Sequence, residues 1–252
     1  MSGLAIGGIV FVCVFGGAFL GMLLSAILPK HHLSQDSKDV VKLTMAILGT
    51  MAALVVGLLI SSAKSSFDTK DSEVKHIAAQ IVLFDRTLAG YGLETQDIRK
   101  SARELIAARI RSIWNESSNL DTAAIRQVPG TFWDIQQKVL ALSPKNDAQR
   151  WLQSKALQIY SDVADTRWLL TQQTGGTIQW QFLAILVFWL TVIFASFGMF
   201  APRNGTVISA LFVAALSMAG SIYLIAEMDQ PFSGFIKISS APMHFALAQL
   251  GK

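Results

Sequence analysis

Charge is missing from four long stretches of this 252-residue chain, and that absence sets its class. Ala5 to Leu28, Leu43 to Ile60, Phe182 to Ala201 and Thr206 to Ala226 contain no Lys, Arg, Asp, Glu or His. Each is apolar over the length, about 20 residues, that an α-helix needs to cross a bilayer. Proton relays and voltage sensors place ionisable groups at mid-membrane, so neither class finds support here. Cysteine is nearly absent too. Cys13 is the only one, which excludes an intramolecular disulfide, and inside an apolar run it reads as a small packing residue. Enzyme signatures are missing: there is no glycine-rich phosphate loop, no HExxH, no GxSxG, and no cysteine near a histidine outside the apolar runs. No catalytic activity and no cofactor is expected. The absence of an arginine-rich run speaks against nucleic acid as a partner.

What is present is a hydrophobic fraction of 52%, with the charged residues concentrated between Lys64 and Arg167. That distribution predicts membrane helices at both ends and a polar insert between them. The first run lacks a positive leading region and is too long for a signal peptide, so it reads as a retained helix. The expected fold class is an all-α membrane protein with four transmembrane helices and a helical bundle inserted between the second and third. The expected division is 1–63 for helices 1 and 2, 64–177 for the bundle, 178–228 for helices 3 and 4, and 229–252 for an amphipathic tail. Four crossings place both termini on the side of the insert. The flanking lysines and arginines divide almost evenly between the two sides and leave orientation open.

No proline interrupts Asp39 to Ala89, so the second crossing continues out of the membrane as one helix of about 75 Å. Val74, Ile77, Ala78, Ile81, Phe84 and Leu88 give its outer part an apolar stripe, and Tyr91-Gly92 ends it. A second amphipathic helix is predicted over Thr95 to Trp114, with Ile98, Ala102, Leu105, Ile106 and Ile113 inward. Asn115 to Gly130 reads as a surface loop. A short helix follows around Phe132, Ile135 and Val139. Ser143-Pro144 carries the cap-and-proline signature of a new start, and that last helix runs to about Gln173. Asp85-Arg86 and Asp165-Thr166-Arg167 read as cross-helix ion pairs. The tail, with Phe232, Phe235, Ile236, Ile238, Met243, Phe245 and Leu247, is expected at the membrane interface or under a neighbouring subunit.

Small residues recur every fourth position in both early crossings: Gly17, Gly21 and Ser25 in the first, Gly49, Ala53, Gly57 and Ser61 in the second. Such stripes let helices approach closely in lipid, either within the chain or between subunits. The second crossing ends in the hydroxyl-rich run Ser61-Ser62-Ala63-Lys64-Ser65-Ser66. Around a symmetry axis, Leu54 and Leu58 would form an apolar constriction with Ser61, Ser65 and Lys64 at its mouth. Alternatively the run is an interfacial collar, with Lys64 snorkelling and pairing with Asp68. His31, His32 and Asp36 are weak candidates for a metal, since their spacing matches no specific motif and Asp36 or Ser37 more simply caps a helix.

Several segments resemble the bacterial bestrophin-like proteins of the DUF4239 family: Pro29 to Leu43, Ser61 to Asp68, Ser143 to Gln149, Phe188 to Asn204, and Asp229-Gln230-Pro231-Phe232. Bestrophins are pentameric anion channels with four membrane helices per subunit, a helical cytosolic region between the second and third, and a pore lined by the second. The resemblance therefore implies a homo-oligomer, favouring a pentamer, that conducts inorganic ions, with anions favoured, through a bacterial inner membrane. It also implies a cytoplasmic insert and cytoplasmic termini. Leu43 to Ile60 holds no aromatic residue, unlike a bestrophin neck, so Leu54 and Leu58 would take that place. The competing expectation is a membrane-anchored scaffold or sensor whose helical insert binds a partner.

Overall fold

The computed structural model describes residues 3–27, 35–114, 132–172, 180–232 and 234–252. All regular structure among them is helical: α1 Gly3–Ile27, α2 Gln35–Tyr91, a 3-10 turn Leu93–Thr95, α3 Gln96–Trp114, α4 Phe132–Leu140, α5 Asp147–Gln172, α6 Trp180–Phe200, α7 Gly205–Met228 and α8 Ala241–Gln249. Four of these, α1, α2, α6 and α7, are long and apolar enough to span a membrane. The chain is a multi-pass membrane protein with a helical insert between its second and third spanning helices.

The chain divides into two compact units. One is Met1–Phe67 with Gly176–Ile236, the other Asp68–Gly175 with Lys237–Lys252. The second unit begins within α2 at Asp68, and its second segment begins at Lys237.

In the first unit α1, α6 and α7 share one core. Val10, Val14, Ala18 and Met22 of α1 meet Leu186, Leu190, Ile193 and Phe194 of α6 and Leu211, Ala215, Ala219 and Ile222 of α7. Glycine sets how closely the helices approach. A Cβ on Gly21 would fall 1.9 Å from the Ala195 carbonyl oxygen, and one on Gly198 would fall 1.9 Å from that of Ala18. The backbones of α1 and α6 therefore touch, which is how small residues drive association where lipid offers no hydrophobic gain. Gly17 likewise lies against Thr191. The pairings 17 with 191 and 21 with 195 make α1 and α6 parallel, while Gly3 against Glu227 and Gly7 against Tyr223 make α1 and α7 antiparallel. Phe11 and Phe15 each meet Phe212 edge to face. Cys13, expected to pack, is exposed on the outside of this group.

Arg203, in the α6 to α7 turn, donates from Nη2 to the Met22 carbonyl and to Ser25 Oγ. It supplies a cation near the carboxyl end of α1, the negative end of the helix dipole. Asn204 caps α7, its side chain accepting from Val207 N–H at 2.9 Å.

The second unit is built around Phe84, Leu88, Ile98, Ala102, Leu105, Ile135, Val139, Ala156 and Ile159. α2 stops because Gly92 adopts φ 139°, open to glycine and strained for other residues. α3 buries Ile110 in the place expected for Ile113, which is 45% exposed. α5 begins at Asp147 and not at Ser143-Pro144. Asn146 is the better cap: its Oδ1 accepts from Gln149 N–H, and Gln149 Oε1 accepts in return from Lys145 N–H, both at 2.8 Å. Gln153 donates to the carbonyls of Val139 and Leu142, closing the end of α4. The loop 115–130 lies outside the described residues.

The tail differs most from expectation. From Lys237 onward it belongs to the second unit, and α8 packs on α3 of its own chain. Trp114 Nε1–H donates to the Ile238 carbonyl at 2.8 Å, and Ile238, Ala246 and Leu250 are buried. An apolar pattern shows that a segment must be covered; it does not say by what.

Candidate functional site

The apolar part of α2 differs from the other spanning helices in how little of it its own subunit covers. Between Leu43 and Ile60 only Ala52 is buried. The face centred there, with Met45, Leu48, Val55, Val56 and Leu59, packs on the core of the first unit.

Around the helix lies a second face. Val40, Thr44, Ile47, Met51, Leu54, Leu58, Ser61 and Ser65 recur at alternating spacings of four and three, and all are exposed. Leu54 and Leu58 are 66% and 63% exposed. A spacing averaging 3.5 residues is the period of a helix face that stays in register with a supercoiled neighbour. The character of this line changes along its length, from large aliphatics through Leu58 to the hydroxyls of Ser61 and Ser65.

The small-residue stripe forms a third flank. A Cβ on Gly49 or Gly57 would meet nothing within 4 Å, and Ala53 is exposed. The stripe of α1 is thus an intrachain packing device through Gly17 and Gly21, whereas at Gly49 and Gly57 the stripe of α2 has open space beside it among the described residues. Lys64 belongs to this flank, about 120° around the helix from Leu58 at 100° per residue. It is exposed, with Nζ 5.8 Å from the centre of the Phe67 ring.

Farther along α2, Lys70 is buried, only 1% exposed. Sequence reading passed over it, because an isolated lysine on a helix gives no signal of burial. Asp85 pairs with Arg99 of α3, and neighbouring Arg86 is exposed. This bidentate bond, more than any charge effect, raises the guanidinium above the ordinary arginine range. Arg167 lies over the Phe132 ring at 4.1 Å, and partial burial lowers it from the arginine range. Glu94 and Asp97 are held below the usual carboxylate range by hydrogen bonds from Lys145 and Lys138.

No group of three or more His, Cys, Asp or Glu placed to hold a metal occurs among the described residues. His31 and His32 lie outside those residues, and Asp36 stands in the first turn of α2.

A family model described as a bestrophin-like domain matches residues 12–243. Two crystal structures of a bacterial bestrophin homolog from Klebsiella pneumoniae, each carrying a point mutation, superpose with a TM-score of 0.55 at 14% identity. A third such structure gives a TM-score of 0.53. In each case the match covers 94% of this chain and 97% of the other. No curated protein matches the chain. At that identity the structural likeness speaks for the fold.

Proposed function

The chain belongs to the bestrophin-like family, and from that premise we propose that it is a homo-oligomeric ion channel, a pentamer of the bacterial inner membrane, with α2 lining an axial anion pore. The observation that carries this reading is the uncovered face of α2. Its 3.5-residue line of Met51, Leu54, Leu58, Ser61 and Ser65 suits a ring of identical helices around an axis. Leu54 and Leu58 would form the narrow apolar neck, which gates by excluding water, and Ser61 and Ser65 would meet the ion with hydroxyls in place of its hydration shell. Lys64, repeated in every subunit beside that mouth, would add positive potential and favour anions. The flank of Gly49, Ala53 and Gly57 would then receive the adjacent subunit, small residues allowing close approach. The insert and both termini face the cytoplasm in this arrangement.

The test is subunit counting by imaging in nanodiscs, together with reversal potentials in asymmetric chloride across a reconstituted bilayer. A five-fold ring with an axial path and an anion-side reversal potential supports the reading. A monomer or dimer without a path overturns it.

A second reading, a membrane-anchored scaffold, is favoured by the insert's exposed tryptophans, Trp133 at 63% and Trp151 at 64%. It predicts that the uncovered face of α2 meets lipid alone, and that substitution of both tryptophans abolishes partner binding with no flux to lose.

A further inference from the structure

Glu227 is a carboxylate buried at the end of α7, 6% exposed, in a protein whose spanning stretches otherwise carry no charge. Two chain segments close on it. Phe235 N–H donates to Oε2 at 2.6 Å. Gly234, at φ 95°, leaves no room for a side chain, since a Cβ there would lie 2.3 Å from the same oxygen. Gly3, at the amino end of α1, is equally tight: its Cβ would lie 2.5 Å from Oε1. Two glycines far apart in sequence thus share one reason for being glycine, the space the carboxylate occupies. The amino end of a helix also presents unpaired N–H groups and positive potential, a favourable neighbour for an anion.

We propose that Glu227 is a latch that fastens the turn after α7 to the amino end of α1, fixing the point from which the tail departs toward α8. The latch is a conformational device of the first unit. With the carboxylate in place the turn is closed over it; without it the Phe235 N–H has no acceptor and Gly234 has no reason to hold its positive φ. This inference rests on the local geometry and is independent of the channel reading.

Amide exchange on the full-length protein in nanodiscs tests it. Glu227→Ala is expected to speed exchange at Phe235 at least tenfold while core amides of α1 and α6 keep their protection, and Glu227→Gln, which retains an acceptor oxygen, to fall between. Gly3→Ala alone is expected to loosen Phe235 by pushing the carboxylate aside, and to add nothing in the Glu227→Ala background. The latch is overturned if Phe235 keeps its protection in both Glu227 variants. It is also overturned if the whole first unit loosens equally, or if Gly3→Ala has the same effect with and without the glutamate.

Discussion

Arg99 grips Asp85 through two parallel bonds, Nε to Oδ1 and Nη2 to Oδ2, both 2.8 Å. The pair ties α3 to α2, and it also holds the tail: Gly251 N–H donates to Asp85 Oδ2, and Arg99 Nη2 reaches the Lys252 carbonyl. Asp85 is 3% exposed, so its charge is tolerable only while this arginine is present.

Removing one partner strands the other. Arg99→Ala is expected to destabilise the insert by about 3 kcal/mol, because breaking a buried pair leaves an uncompensated charge. Lys138→Ala, which breaks the exposed pair with Asp97, should cost well under about 1 kcal/mol. Denaturant melts followed by intrinsic tryptophan fluorescence compare them. Equal effects would show that the Asp85 pair is not the anchor.

Acid should weaken the exposed Glu94–Lys145 pair. The Lys145 hydrogen bond holds Glu94 below the ordinary glutamate range. A carboxylate depressed in the folded state contributes stability above its unfolded pKa, and that contribution fades as pH falls through the lower folded value. NMR titration of the Glu94 carboxyl should therefore find a low midpoint that rises toward the normal range in Lys145→Ala, the backbone hydrogen bond to the carboxylate remaining. A midpoint indifferent to Lys145 would dismiss the bond.

Glycine substitutions should sort by what their Cβ meets. Gly21→Ala and Gly198→Ala drive a methyl into a backbone carbonyl and are expected to cost about 3 kcal/mol or to abolish folding. Gly57→Ala meets nothing within 4 Å among the described residues. Its thermal stability as an isolated subunit should match the parent, while loss of oligomer on size exclusion would place that flank at a subunit contact.

In the proposed channel, trimming Leu58 should widen the neck. Leu58→Ala is expected to raise single-channel conductance, and Lys64→Glu to shift the reversal potential toward cations. Unchanged conductance in an intact conducting oligomer would remove Leu58 from the path.

Arg203→Ala should lower the melting temperature of the first unit, by about 1.5 kcal/mol of lost charged hydrogen bonding at the end of α1. Asn204→Ala, which removes the cap of α7, should cost about 1 kcal/mol. If Arg203→Ala is silent, the arginine does not hold the end of α1.

Much of this architecture is legible in the chain because the signals are local. Uncharged runs of about 20 residues announce spanning helices, an unbroken proline-free stretch announces the length of α2, and Gly92 announces its end. The start of α5 was misplaced because two adjacent cap signals compete, and only the reciprocal bonds of Asn146 and Gln149 decide between them. The two small-residue stripes look alike as sequence, yet a Cβ on Gly21 would strike Ala195 whereas one on Gly57 would meet nothing within 4 Å among the described residues. Spacing records that a helix face is smooth and leaves its neighbour unstated.

The amino-acid sequence by itself determined the class of this protein, its four crossings and the helical nature of its insert, because hydropathy, periodicity and backbone propensity act over a turn or two. Tertiary structure alone decided that the tail lies on α3, that Lys70 and Glu227 are buried, that Asp85 belongs to Arg99, and which face of α2 is left uncovered. Each of those depends on groups that meet in space from distant positions in the chain, and burial and pairing energies arise only when such groups are brought together.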